Sequence, residues 1–328
     1  MKHAPLLTAL FAATALLAAA APETAAALSP DQARKQLLQL NPAQQDDATA
    51  LHQAAATGDC ELLRLLLAAG VPPDAPNRYG ETALQQAATN GHTTCVELLL
   101  AAGANINHQD ENDGRSALLR AIQNGHPDCA KLLANAQGLD FRPWTPLTLG
   151  VARHDIEDIH RFLGTGNDVN EACSPGYTPL QLAATLGYPE VMQILLDAGA
   201  DADKADAYDY TPLCMALYHG HTACAQLLLA HGANIHGSTP WPPIHIVLQN
   251  GHTHALQALL AAGANANQTN QNGETPLHLA ALFSQTECVK ILLAAGANPH
   301  LRNAAGETPA DIAAKYGHTE ILKLLEKP

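Results

Sequence analysis

Apolar residues in this chain gather in short stretches, and a glycine closes each stretch. Residues 179–186 form one such stretch, ended by Gly187, and residues 189–198 form the next, ended by Gly199. In the second, Val191, Ile194, Leu195 and Ala198 fall at offsets of three and four, the spacing that lines one face of a helix. The pattern predicts two short amphipathic helices joined by a tight loop, with glycine as the stop signal. Such a pair has no partner for its apolar face within itself. It must stack on copies of itself, and the outermost copies need polar outer faces.

Copies are present. A start phrase opens each unit: T-A-L-H at Thr49, T-A-L-Q at Thr82, S-A-L-L at Ser116, T-P-L-T at Thr145 and T-P-L-Q at Thr178. It returns as T-P-L-C at Thr211, P-P-I-H at Pro242, T-P-L-H at Thr275 and T-P-A-D at Thr308. Successive starts are 33, 34, 29, 33, 33, 31, 33 and 33 residues apart. A period near 33 marks a stacked repeat array rather than a set of globular domains. The expected organisation is a leader over 1–27, a capping helix over 28–48 and nine repeats over 49–328. In the expected cap, Ser29 would be the N-cap and Pro30 the first helical residue, followed by the apolar Leu37 and Leu38. Lys315, Lys323, Glu326 and Lys327 give the last repeat a wetter face suited to closing the other end.

The wording of the repeats carries a family resemblance. Residues 275–281 read TPLHLAA, residues 90–92 read NGH, and LLAAGAN appears at 99–105 and again at 292–298. In these residues the chain resembles an ankyrin-repeat protein, over nine units in register. The resemblance implies an all-α solenoid of helix-loop-helix units with projecting hairpin fingers. The fingers and the first helices would form the binding face. It also implies that the start-phrase histidines (His52, His245, His278) and those after the loop glycine (His92, His126, His221, His252, His318) hydrogen-bond the backbone and knit repeats together.

The leader has the form of an export signal. Lys2 precedes an apolar run over residues 6–17, and small residues follow, with cleavage expected after Ala20 or after Ala27. No cysteine lies near the end of the run, the first being Cys60, which argues against a lipid anchor, and no later segment could span a membrane. The expected location is the periplasm, or the outside of the cell. Cleavage after Ala20 leaves 16 basic and 31 acidic residues, a balance that disfavours nucleic acid. Between Arg161 and Lys290 one base, Lys204, faces ten acids. Such a stretch either keeps the surface solvated or attracts a basic partner.

Seven cysteines in an exported chain suggest disulfides. Position argues otherwise for Cys95, Cys129, Cys224 and Cys288, each four residues past its loop glycine or its equivalent, where they serve as small buried apolar groups. Equivalent positions in adjacent repeats lie roughly 8–10 Å apart, beyond the reach of a disulfide. All seven are therefore expected as thiols. Cys60, two residues past its glycine, departs from that register, and Cys173, in a connecting loop, is the candidate for an exposed thiol.

Chemistry is sparse. His219, His221, His252 and His254 fall in equivalent loops of adjacent repeats and could cluster as a metal site, but no acid or cysteine joins them at ligand spacing. His154 and Asp158 share a helical face and are expected to form a local ion pair rather than a ligand set. No nucleophile with a base and no phosphate loop stands out. Neither an enzyme nor a cofactor is expected.

The useful irregularity is aromatic. Trp144, Tyr177, Tyr210 and Trp241 occupy one repeat position, immediately before the start residue, in four consecutive repeats. Tyr79, Phe141 and Tyr208 lie in the same kind of loop. Tyrosine and tryptophan favour interface hot spots. They could equally fill space in the two shortened connections or stack on one another. The candidate partner-binding residues are Tyr79, Trp144, Tyr177, Tyr208, Tyr210 and Trp241, with Asp203, Asp206 and Asp209 beside them. The expected function is a monomeric, non-catalytic protein-binding module that scaffolds, stabilises or inhibits another exported protein, for which a basic surface is suited. The alternatives are a metal-handling periplasmic protein using the loop histidines and, less favoured by the residues, an enzyme.

Overall fold

The computed structural model describes residues 47–109, 114–174, 176–237 and 241–326. The expected export signal over 1–27 and residues 28–46 of the expected capping helix lie outside them. The described residues form eighteen helices, two per repeat, and no strand. Repeat one pairs α1 (Asp47–Thr57) with α2 (Cys60–Ala68), repeat two α3 (Ala83–Thr89) with α4 (Thr93–Ala101), and repeat three α5 (Ala117–Gln123) with α6 (Pro127–Asn135). Repeats four to six follow as α7 (Pro146–Arg153) and α8 (Ile156–Gly164), α9 (Pro179–Leu186) and α10 (Pro189–Asp197), and α11 (Pro212–Tyr218) and α12 (Thr222–Ala230). Repeats seven to nine are α13 (Pro243–Gln249) and α14 (Thr253–Ala261), α15 (Pro276–Leu282) and α16 (Thr286–Ala294), and α17 (Pro309–Lys315) and α18 (Thr319–Leu325).

The start phrase sets each first helix. Thr82, Thr145, Thr178, Thr211 and Thr308 are N-caps whose hydroxyls accept the amide three residues on. That satisfies one of the orphan donors at the helix start. Proline at the first helical position has no N–H to leave unsatisfied there. At the far end of α9, Gly187 takes φ +71°, which L side chains rarely adopt.

The chain divides into two compact units. The first comprises residues up to Ala121 together with Ala136–Gly138, and the second holds Ile122–Asn135 and everything from Leu139 on. Within the first, α1 packs on α3 and α2 on α4. Within the second, the first helices α7, α9, α11, α13, α15 and α17 pack in succession, and the second helices α10, α12, α14, α16 and α18 do the same. Small residues make this close stacking possible: Ala87, Ala183, Ala216, Ala280 and Ala313 are fully buried beside leucines such as Leu84, Leu182 and Leu213. In repeat three the pattern changes. Helix α6 packs on the first helix α7, and Arg153 Nε donates to Ala134 O at 3.0 Å.

Side chains of the start phrase tie repeats together. The fourth residue is His52, Gln85, Gln181, His245 or His278, and its Nε2 meets the carbonyl just before the next start, at Glu81, Arg115, Tyr210, Glu274 and Glu307, over 2.7–3.0 Å. The second polar atom of Gln85, Gln181 and His278 accepts the N–H of its own threonine. His245 departs from this. Its Nδ1 is buried with no partner among the described residues, because Pro242 stands where the others have threonine and brings neither an N–H nor a hydroxyl.

Loop histidines form a second set of ties. Nε2 of His92, His221 and His252 meets the carbonyl of Ala56, Thr185 and Tyr218 at 3.1 Å in each case. The rings lie over Gly58, Gly187 and Gly220 of the preceding repeat, so closely that a Cβ there would sit 2.6–2.7 Å from ring atoms. The knitting role implied by the family resemblance is visible at these histidines and at those of the start phrase.

Candidate functional site

Four of the fingers between repeats are built by one local device. Asn77, Asp206, Asn270 and Asn303 each accept two backbone N–H groups, two and four residues on, through one side-chain oxygen. A second device links finger to finger: Asp74, Asn170, Asp203 and Asn267 each accept a backbone N–H 31 residues further along. Asp203 and Asp206 therefore carry framework duties that asparagine performs in other repeats, while keeping their negative charge.

The finger before repeat six presents the most exposed ring. Tyr208 is 76% exposed and Tyr210 37%. Asp201, Asp203 and Asp209 are exposed on the same segment, with Asp206 half-buried at its base. Asp209 takes φ +64°, a left-handed turn that puts Tyr208 and Tyr210 on either side of a sharp bend. Two tyrosines and four carboxylates thus share ten residues of chain.

The other candidates are placed differently. Tyr79 is exposed in the first unit, with the Arg78 guanidinium over its ring at 4.6 Å. Trp144, Tyr177 and Trp241 are half-buried. Tyr177 Oη accepts a hydrogen bond from Gln123 Nε2 at 3.2 Å. The segment bearing Gln123 also meets later repeats of its own unit. Tyr188 Oη donates to Pro127 O, and the His219 ring lies against Gly125. Exposure along the stripe is therefore uneven, and the finger at 206–210 carries most of it in the second unit. Sequence reasoning passed over Tyr218, Phe283 and Tyr316, exposed at the ends of first helices in repeats six, eight and nine. Their signal was present: Phe283 and Tyr316 occupy one position, immediately before the loop glycine or its equivalent.

The histidine cluster is real in part. His219 and His221 stack at 6.0 Å. Burial, then His221, His126 and His252, push His219 down to about 4. Burial likewise lowers His221, against the favourable bond to Thr185 O. His254 is exposed. A shallow depression of about 190 Å³ runs past Gly220, Thr222, His252 and His254. Among the described residues no group of three or more His, Cys, Asp or Glu side chains is placed to hold a metal ion. His221 and His252 instead bond the backbone carbonyls of Thr185 and Tyr218.

Two local expectations are corrected. Cys173 is buried, 4% exposed, and burial pushes its thiol up to about 11. It occupies the finger-base position held by Asn77, Asp206, Asn270 and Asn303, with its N–H on Tyr177 O at 3.0 Å, and none of those residues is fully exposed either. His154 does not pair with Asp158. It takes φ +54° in place of the loop glycine and stacks on Tyr188 at 4.1 Å. Asp158 pairs instead with Arg161, and Asp155 caps α8 by accepting Asp158 N at 3.0 Å.

No helix among the described residues is long and apolar enough to cross a membrane. A family model described as ankyrin repeats (3 copies) matches the chain at residues 24–110, 51–143, 147–239 and 244–327. No curated protein matches it.

Proposed function

Because the chain belongs to the ankyrin-repeat family, a family of protein–protein interaction modules, we propose that it acts without catalysis by binding another exported protein in the periplasm. There it holds, stabilises or masks that partner. The observation that carries this reading is the finger at 206–210, where Tyr208 stands 76% exposed among Asp201, Asp203, Asp206 and Asp209. An exposed tyrosine gives contact area at low entropic cost, and surrounding carboxylates suit a partner with a basic surface. The net charge of −9 between Arg161 and Lys290, ten acids against one base, extends the same field. The export signal read from residues 1–27 supports the location.

Affinity capture from periplasm with the mature chain, followed by binding measurements on the recovered partner, tests the reading. Tyr208→Ala and Tyr210→Ala should each weaken binding by about 2 kcal/mol, roughly 30-fold, if these are hot spots. Circular dichroism should be unchanged, since the side chains lie outside the stacked core. Added salt should slow association by screening the acidic field. Undiminished affinity in the double variant would remove the finger from the interface.

A further inference from the structure

Cys60 is the first residue of α2 and Cys95 the third residue of α4, in adjacent repeats of the first unit. Their sulfurs lie 3.0 Å apart. The rule that equivalent positions are too distant for a bond does not apply to them, because they are not equivalent. Cys95 stands four residues after Gly91, whereas Cys60 stands two after Gly58. Two residues along a helix turn a side chain by roughly 200°, and here the offset lets Cys60 meet Cys95 across the repeat boundary.

From this contact we infer that Cys60 and Cys95 are a disulfide-forming pair that staples repeat one to repeat two when the chain meets a disulfide-bearing oxidant. The sulfurs need approach by only about 1 Å to reach bonding distance. Cys60 is partly exposed, so an oxidant can reach it, and Cys95 is buried directly behind it. In the first step the Cys60 thiolate attacks one sulfur of the oxidant, forming a mixed disulfide and expelling the other sulfur as a thiolate. In the second, Cys95 gives up its proton and attacks the Cys60 sulfur, releasing the remaining half of the oxidant. Two electrons pass to the oxidant, two protons end on its two thiols, and one S–S bond forms between the repeats. The remaining cysteines are poor competitors. All are buried, and burial pushes Cys173 and Cys288 up to about 11 and Cys224 up to about 12, and raises Cys214, so little thiolate exists near neutral pH. The new bond would close a loop of 35 residues, restricting the unfolded chain.

The full chain, reduced and then held in a mixture of oxidised and reduced glutathione, tests this. Thiol titration in denaturant should fall from seven to five, and peptide mapping without reductant should give one species joining the Cys60 and Cys95 peptides. Cys60→Ser, a conservative change at a partly exposed site, should keep six thiols and give no linked species. Reductant should lower the thermal midpoint of the oxidised wild type and leave that of Cys60→Ser unchanged. Seven persistent thiols, glutathione retained on Cys60, or a link between any other pair would overturn the inference.

Discussion

Pro242→Thr should stabilise the seventh repeat. His245 is fully buried, donates Nε2–H to Glu274 O at 2.9 Å, and leaves Nδ1 without a partner among the described residues. In repeat eight, where threonine precedes the same Pro-x-His, Thr275 N and Oγ lie 3.1 and 2.8 Å from His278 Nδ1. The backbone at Pro242, φ −54° and ψ 148°, is within about 30° of that at Thr275, φ −84° and ψ 166°, so threonine fits without a new fold. A satisfied buried acceptor and a hydroxyl N-cap contribute about 1–2 kcal/mol together. Loss of the proline frees the unfolded chain and costs about 0.4–1 kcal/mol. The net gain is roughly 1 kcal/mol. Amide hydrogen exchange across α13 measures it locally, which suits an array whose parts can open separately. The gain corresponds to exchange slowed about five-fold. A double-mutant cycle separates the causes, because in a His245→Leu background the gain should shrink to the capping share. Exchange unchanged or faster in α13, or a gain indifferent to His245, would refute the argument from the unpartnered nitrogen.

Gly187→Ala and Gly199→Ala share a positive φ, +71° and +87°, but only the first meets a neighbour, the His221 ring at 2.6 Å. Urea midpoints should show Gly187→Ala the costlier by about 1–2 kcal/mol, the overpacking share. His278→Leu strands Thr275 N–H and Glu307 O and should cost about 2–3 kcal/mol, whereas His278→Gln keeps both bonds, as Gln85 and Gln181 do. Burial lowers His278 and His245 below the ordinary 6.5, so the unfolded chain takes up their protons more readily than the folded one. Their stabilisation is full above pH 6.5 and is lost as pH falls below it. Midpoints at pH 7.5 and 5 should show His278→Gln losing less on acidification than the wild type.

The repeat phrase made the helices legible because each element of it has a local physical job. Threonine caps, proline opens, glycine closes, and the fourth residue bridges to the next repeat. What the phrase does not contain was not legible. Cys173 looks exposed in a loop only until one sees that its position is the base of a finger. The contact of Cys60 with Cys95 depends on a two-residue offset whose geometric effect a distance rule for equivalent positions hides. The placement of residues 122–135 against α7, Tyr177 and Tyr188 has one faint sequence trace, the 29-residue step before Thr145, and no trace of direction. For the candidate site, the aromatic positions could be read directly. Their unequal exposure could not, because it depends on what other segments cover.

The finger built by Asp203 and Asp206 has a consequence for how such a surface changes over generations. Asn267 and Asn270 make the same backbone bonds two repeats later, using the same kind of oxygen. An aspartate codon becomes an asparagine codon by a single nucleotide change. At these two positions a lineage can add or erase negative charge while the loop keeps its conformation and the neighbouring repeat keeps its anchor. Electrical character is thus a trait inherited almost independently of shape, and a change of partner need not begin with a change of architecture.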